Sequence, residues 1–182
     1  YFFFADRIPD AFTPFKPFIP GRTFSNTKNI KFIDVSHSQL NEESIWDSFF
    51  NRSLFQGLVN LRVLFLSNNP LGNLPDRLFE DNFLLAYLMM DNCKISSLTG
   101  NIFQGLKSLI YVDLNGNSLL LISTNALKNL PVLESLSIND NTIMCVEEGA
   151  MENVPLLRDL RMSNNQLVAF NRSTWKTLMT YH

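Results

Sequence analysis

Leu61-Arg62-Val63-Leu64-Phe65-Leu66-Ser67-Asn68-Asn69-Pro70-Leu71 carries the pattern L-x-x-L-x-L-x-x-N-x-L, and its recurrence decides the fold. The same frame returns as Leu85, Leu88, Met90, Cys93, Ile95 and as Leu109, Val112, Leu114, Asn117, Leu119. Two further copies run Leu133, Leu136, Ile138, Asn141, Ile143 and Leu157, Leu160, Met162, Asn165, Leu167, each starting 24 residues after the last. An earlier copy, Ile30, Ile33, Val35, Ser38, Leu40, begins 31 residues before Leu61. Six copies in register exclude coincidence.

Each unit is one short strand and a return path, and neither buries its apolar side alone. Alternation along the strand sends Leu64 and Leu66 inward and leaves Val63 and Phe65 outward. Stacked units therefore form a parallel sheet on the concave side of an arc. The return path is equally regular. Ile19, Leu74, Leu98, Ile122, Val146 and Phe170 share one position, and Phe24, Phe55, Phe79, Phe103, Leu127, Met151 and Trp175 fall five further on. These side chains predict an apolar spine beneath the convex side, each contributing roughly 1.5–3 kcal/mol on burial before chain entropy is subtracted.

The column Ser38, Asn69, Cys93, Asn117, Asn141, Asn165 has a structural task. An amide offers two donors and an acceptor, so it satisfies backbone groups that the turn after the strand leaves unpaired. Ser38 and Cys93 are small substitutes in that column.

The chain has 182 residues, 46% of them hydrophobic, which is ample for one solenoid domain. A net charge of −2 without a basic block argues against nucleic acid or an anionic membrane as the main partner. No apolar run reaches the roughly 18 residues a membrane span needs. Cys93 and Cys145 stand two repeats apart, roughly 10 Å at sheet spacing, against the roughly 7 Å limit of a disulfide. Both are expected as free, buried thiols. The array has no Cys-rich caps, and a further unit would begin at Tyr181, so the chain is expected to be a fragment of a longer one.

Residues 1–18 do not fit the frame. Pro9, Pro14 and Pro17 interleave with Phe12, Phe15 and Phe18, which suits an extended cap over the open end of the core or an arm toward a partner. The solenoid is expected over residues 19–182, as half a repeat and six repeats. The first full repeat carries seven extra residues between Asn41 and Ser53, either a functional loop or a tolerated insertion. Two sequons, at Asn51 and Asn171, are candidate glycosylation sites, and both fall outside the strand segments.

The full unit reads L-x-x-L-x-L-x-x-N-x-L-x-x-L-p-x-x-a-F-x-x-L. It resembles the typical repeats of extracellular leucine-rich-repeat proteins, Toll and Toll-like receptor ectodomains among them, along with neuronal adhesion and hormone-binding members. The resemblance covers residues 19–182. It implies a right-handed leucine-rich-repeat solenoid with short parallel strands on the concave face and a mostly irregular or 3-10 convex side. The longer repeats of the cytosolic inhibitor class, with their convex helix, do not fit a 24-residue period. Membership implies secretion or the cell surface. The partner implied is a protein ligand or co-receptor, with membrane contact only through a segment outside this chain and dimerisation compatible with it; no nucleic acid is expected, on the charge argument above. A Toll-like receptor ectodomain binding a protein or microbial ligand, an adhesion or guidance protein, and a secreted binding module all use the same surface.

The outward columns locate that surface. Phe32, Val63, Phe65, Tyr87, Met89, Ile110 and Tyr111 fall together on the concave side of the first four repeats. Water-facing aromatics on adjacent strands are anchors for a protein partner, or else stabilise the sheet by cross-strand stacking. The last two repeats present Glu134, Arg158, Asp159 and Arg161 instead. No catalytic residues are assigned: His37 and His182 are the two histidines, and neighbours Asp34, Ser36 and His37 on one strand cannot supply a nucleophile–base–orienter geometry. Neither metal-ligand spacing nor a cofactor fingerprint occurs, so no metal or cofactor is expected.

Overall fold

The computed structural model describes residues 27, 29–48 and 51–168. The Pro/Phe-rich segment 1–18, the half repeat that follows it, the Asn171 sequon and His182 lie outside the described residues. In chain order the elements are β1 (Phe32–Asp34), α1 (Glu42–Ile45), β2 (Trp46–Asp47), β3 (Arg52–Ser53), β4 (Val63–Phe65) and β5 (Tyr87–Met89). They continue with β6 (Tyr111–Asp113), β7 (Leu121–Ile122), β8 (Ser135–Ser137), β9 (Cys145–Val146) and β10 (Asp159–Arg161).

One three-residue strand from each repeat enters a parallel sheet of order β1-β4-β5-β6-β8-β10. The register never slips: Ile33, Leu64, Leu88, Val112, Leu136 and Leu160 stand side by side as the central residue of each strand. The first five are buried. A one-residue slip would carry a strand's whole apolar set to the solvent side, so the leucine frame fixes the pairing. Opposite the sheet, Leu74, Leu98, Ile122 and Val146 are buried, as are Phe55, Phe79, Phe103, Leu127 and Met151. Phe55 and Phe79 stack with ring centroids 5.8 Å apart.

The polar column ties each repeat to its predecessor. Asn69 Oδ1 accepts from the Ser38 and Leu40 amides at 3.0 and 2.9 Å, and its Nδ2 donates to the Val35 and Leu66 carbonyls at 2.9 and 2.8 Å. Asn117 repeats the pattern on Cys93 N, Ile95 N, Met90 O and Leu114 O. Asn141 and Asn165 each accept from one amide of the preceding turn, Leu119 N and Ile143 N, and donate to both strand-end carbonyls. Cys93 performs half of this. Its thiol donates to the Leu66 carbonyl at 3.2 Å, but the Leu71 amide turns to Asn69 O instead.

The residue ahead of this column is left-handed in every described repeat: His37, Asn68, Asn92, Gly116, Asp140 and Asn164 have φ between 54° and 63°. Asn, Asp and Gly tolerate that region best, and they fill five of the six places. At Gly116 space adds to the requirement, because a Cβ there would run into the Asn92 side chain, whose Cγ would lie 3.1 Å away.

The seven-residue insertion folds into structure of its own. Asn41 caps α1 in a reciprocal capping box with Ser44, β2 and β3 pair antiparallel, and Ile45 is driven into the core. Asn51 is exposed beside this hairpin with φ of 51°. The convex side is mainly turns closed by i to i+3 bonds, such as Leu58 N to Phe55 O. It departs from an irregular path where β7 and β9 form a second parallel pair. The cause is local composition. Leu120-Leu121 and Met144-Cys145 occupy positions where earlier repeats have Gly72-Asn73 and Ser96-Ser97, which are poor strand formers.

Both cysteines are free, but they are not alike. Cys93 is fully buried, and burial pushes its thiol up to about 11. Cys145 is half-buried, which corrects the expectation of two buried thiols: β9 directs Val146 inward and Cys145 outward.

Two consequences can be measured. Gly116→Ala should lower unfolding stability by about 1–2 kcal/mol for the left-handed backbone alone, and adding Asn92→Ala should recover only the steric part of the total loss. With Ellman's reagent at pH 8, one thiol per chain should react rapidly, because a thiol of pKa about 11 is only about one part in a thousand thiolate there. Cys145→Ser should abolish that signal until denaturant is added; two fast thiols in the native chain would contradict the assignment.

Candidate binding face on the concave sheet

Alternation in the six strands places two outward columns on the concave side. One runs Phe32, Val63, Tyr87, Tyr111, Ser135, Asp159, and the other runs Asp34, Phe65, Met89, Asp113, Ser137, Arg161. Ile110 stands immediately before β6, its amide bonded to the Ala86 carbonyl. The structure thus brings Phe32, Val63, Phe65, Tyr87, Met89, Ile110 and Tyr111 onto four neighbouring strands, a width of about 14 Å at ordinary strand spacing. Phe32 and Tyr87 are the most open, at 48% and 42% exposure, and the other five are half-buried. Phe32 meets Phe65 edge-on with centroids 5.3 Å apart, so part of the patch also braces the sheet.

The ends of the strands differ in charge. Lys31 and Arg62 are exposed at the entry to β1 and β4, whereas Asp34, Asp91 and Asp113 stand at or just past the strand exits. Local hydrogen bonds hold these carboxylates. Asp34 accepts from Ser36 N at 3.0 Å, Asp91 from the Ser67 hydroxyl and from Asn92 Nδ2, and Asp113 from Asn115 N at 2.9 Å and the Tyr111 hydroxyl at 3.2 Å. Burial and the neighbouring Asp91 charge raise the Asp113 carboxyl above its ordinary range, against the pull of its hydrogen bonds. Burial and Asp113 likewise raise the Tyr111 phenol.

Repeats five and six carry a self-paired ionic surface. Arg158 pairs with Glu134, and Arg161 with Asp159 at 2.8 Å. The Arg161 hydrogen bond lowers the Asp159 carboxyl. The Asp34-Ser36-His37 cluster is a local turn in which Asp34 is engaged by backbone, and His37 is exposed. Among the described residues, no group of three or more His, Cys, Asp or Glu could hold a metal ion, and no helix is long and apolar enough to cross a membrane.

Two surface features escaped sequence reasoning. The adjacency of Asp91 and Asp113 to the aromatic patch needed the column Ser36, Ser67, Asp91, Asn115, Asn139, Ser163 to be read alongside the other two. A second apolar strip, Leu120, Leu121, Met144 and Val168, is exposed on the flank after the polar column; the switch from Gly72-Asn73 and Ser96-Ser97 to apolar pairs was its signal.

Comparison with known proteins gives the same architecture. A family model described as leucine rich repeat matches residues 83–143 and 111–167. A second model of the same description matches residues 60–81, and together they cover more than half of the chain. Keratocan of Mus musculus is 42% identical over 60 residues, which is 33% of this chain and 16% of that protein, and Bos taurus keratocan matches equally. The chain also resembles one from the Drosophila Toll–Spatzle complex, with TM-score 0.73 and 23% identity over 87% of this chain and 20% of that one. A chain of a TLR13–ssRNA13 complex aligns with TM-score 0.50 and 20% identity over 81% of this chain and 22% of that one. At these identities the structural likeness is one of fold. The repeated frame, the in-register sheet, the polar ladder and the matched models have one conclusion: this chain belongs to the leucine-rich-repeat family.

Proposed function

We propose that this chain is part of the ligand-binding ectodomain of a cell-surface receptor, Toll-like in style, and that it takes a protein or microbial ligand on the concave face of its first four described repeats. The observation that carries this reading is the seven-residue apolar and aromatic patch on in-register strands, with Phe32 and Tyr87 open to solvent. Contiguous exposed apolar and aromatic side chains mark interaction surfaces, and interface energy concentrates in such anchors. The rigid ladder beneath suits that role, because a partner then meets a surface that requires little ordering on association. Extracellular placement fits the Toll and keratocan likenesses and an exposed Asn51 sequon outside the concave sheet. A binding module, with no catalytic step, is the activity consistent with this face.

A second reading is a secreted or adhesion leucine-rich-repeat module. Its support is the 42% identity with keratocan over 60 residues. Both readings use the same face.

The face is tested with purified chain on an array of secreted and surface proteins. A partner bound by the native chain should lose roughly 30-fold in affinity with Phe65→Ala plus Tyr87→Ala, corresponding to about 2 kcal/mol for anchor residues, while Arg158→Ala leaves it unchanged. Equal losses from both variants, or none from the aromatic pair, would contradict the placement. A fall in melting temperature with affinity intact would assign the aromatics to sheet stability instead.

A further inference from the structure

We infer that the concave face docks a cationic partner segment, one that presents an Arg or Lys between apolar side chains to the carboxylates of Asp91 and Asp113. This rests on the concave reading and names the chemistry of its partner. The first ground is placement. Asp113 lies in β6 directly across from Met89 of β5 and accepts from the Tyr111 hydroxyl, and Asp91 is two residues past Met89, so the two carboxylates lie at the strand-exit end of the patch. A partner covering Met89 and Tyr111 and continuing past the strand exits covers the carboxylates too. Withdrawing two like charges from water is strongly unfavourable unless the partner brings an opposite charge.

The second ground is that the described residues do not supply that charge through an ion pair. The ion pairs between described residues join Arg52 to Asp47, Lys128 to Glu152, Arg158 to Glu134 and Arg161 to Asp159, and none includes Asp91 or Asp113. Arg161 acts on Asp113 only at a distance, its own guanidinium being held by Asp159. The carboxylates are fixed instead by neutral donors: Ser67 and Asn92 on Asp91, Tyr111 and Asn115 on Asp113. They are held in place without an ion-pair partner among the described residues, and burial of Asp113, with the Asp91 charge nearby, raises the Asp113 carboxyl.

The third ground is what lies beside them. Tyr87 is exposed and Tyr111 half-buried, and an aromatic face next to a carboxylate suits a guanidinium, which stacks on the ring while its N–H groups fork onto oxygen. At the other end of the strands Lys31 and Arg62 are exposed. The face is therefore polarised along the strand direction, which sets the partner's orientation as well as its charge.

The test uses two synthetic probes on the purified chain, acetyl-Phe-Arg-Phe-Arg-Phe-amide and acetyl-Phe-Glu-Phe-Glu-Phe-amide, followed by the methyl resonance of Met89. The arginine peptide should shift that resonance, with affinity falling at least fivefold in Asp91→Asn plus Asp113→Asn and falling again as salt rises from low to high. The glutamate peptide should leave it unmoved. Retained affinity in a folded double variant, or no shift from the arginine peptide, overturns the inference. If both peptides shift Met89 equally and Phe65→Ala plus Tyr87→Ala abolishes both, the concave face stands as a binding surface and the cationic partner falls.

Discussion

The interaction on which the structure depends is the side-chain amide of Asn69, Asn117, Asn141 and Asn165, facing two repeats at once. A parallel strand of three residues cannot satisfy its own exit turn, and the backbone groups there are buried. Asn117 alone engages Cys93 N and Ile95 N of the preceding repeat, Met90 O at the end of that repeat's strand, and Leu114 O of its own. Donor and acceptor on one small planar group make this possible, which neither Ser nor Cys can match. Where Cys93 stands in the column, the Leu71 amide closes within the turn on Asn69 O, and the thiol donates to Leu66 O.

Function follows from that repetition by way of its geometry. Because every strand exits through a left-handed residue into the polar column, the strands stay in register and their outward residues form straight columns. Columns turn scattered sequence positions into a surface. Phe32 and Phe65 are 33 residues apart in sequence, and Met89 and Asp113 are 24 apart, yet each pair lies on adjacent strands. The leucines provide the stack and are indifferent to what the outward positions carry. Surface chemistry can therefore vary along the arc, with aromatics beside carboxylates that have no ion-pair partner among the described residues in one half and closed ion pairs in the other.

Much of this was legible in the sequence, for a specific reason. A fixed period of 24 converts position into depth, so Leu64 and Leu88 read as core, Val63 and Tyr87 as surface, and the Asn column as the turn. What the period does not encode was not legible. The left-handed column was hidden because His37, Asn68, Asn92, Gly116, Asp140 and Asn164 share a backbone conformation and not a side-chain type. The period gives the length of the insertion but not its fold, since its capping box and hairpin answer to Asn41, Ser44 and local pairing rather than to the repeat. Cys145 reads as buried from the repeat frame but is half-buried, because the return path carries its own alternation once β7 and β9 pair. The charge environment of Asp113 arises from Asp91 in the neighbouring repeat, a diagonal relation invisible to any single column.

The amide ladder, more than the strands it joins, keeps the repeats together and the concave face preformed. Backbone amide exchange in Asn117→Ala tests this directly. Loss of that side chain should speed exchange at Cys93 and Ile95 at least tenfold, the loss of about 1.4 kcal/mol of local protection, and the amides of β5 and β6 should follow. Unchanged exchange at Cys93 and Ile95, or acceleration confined to those two with β5 and β6 as protected as before, would contradict it.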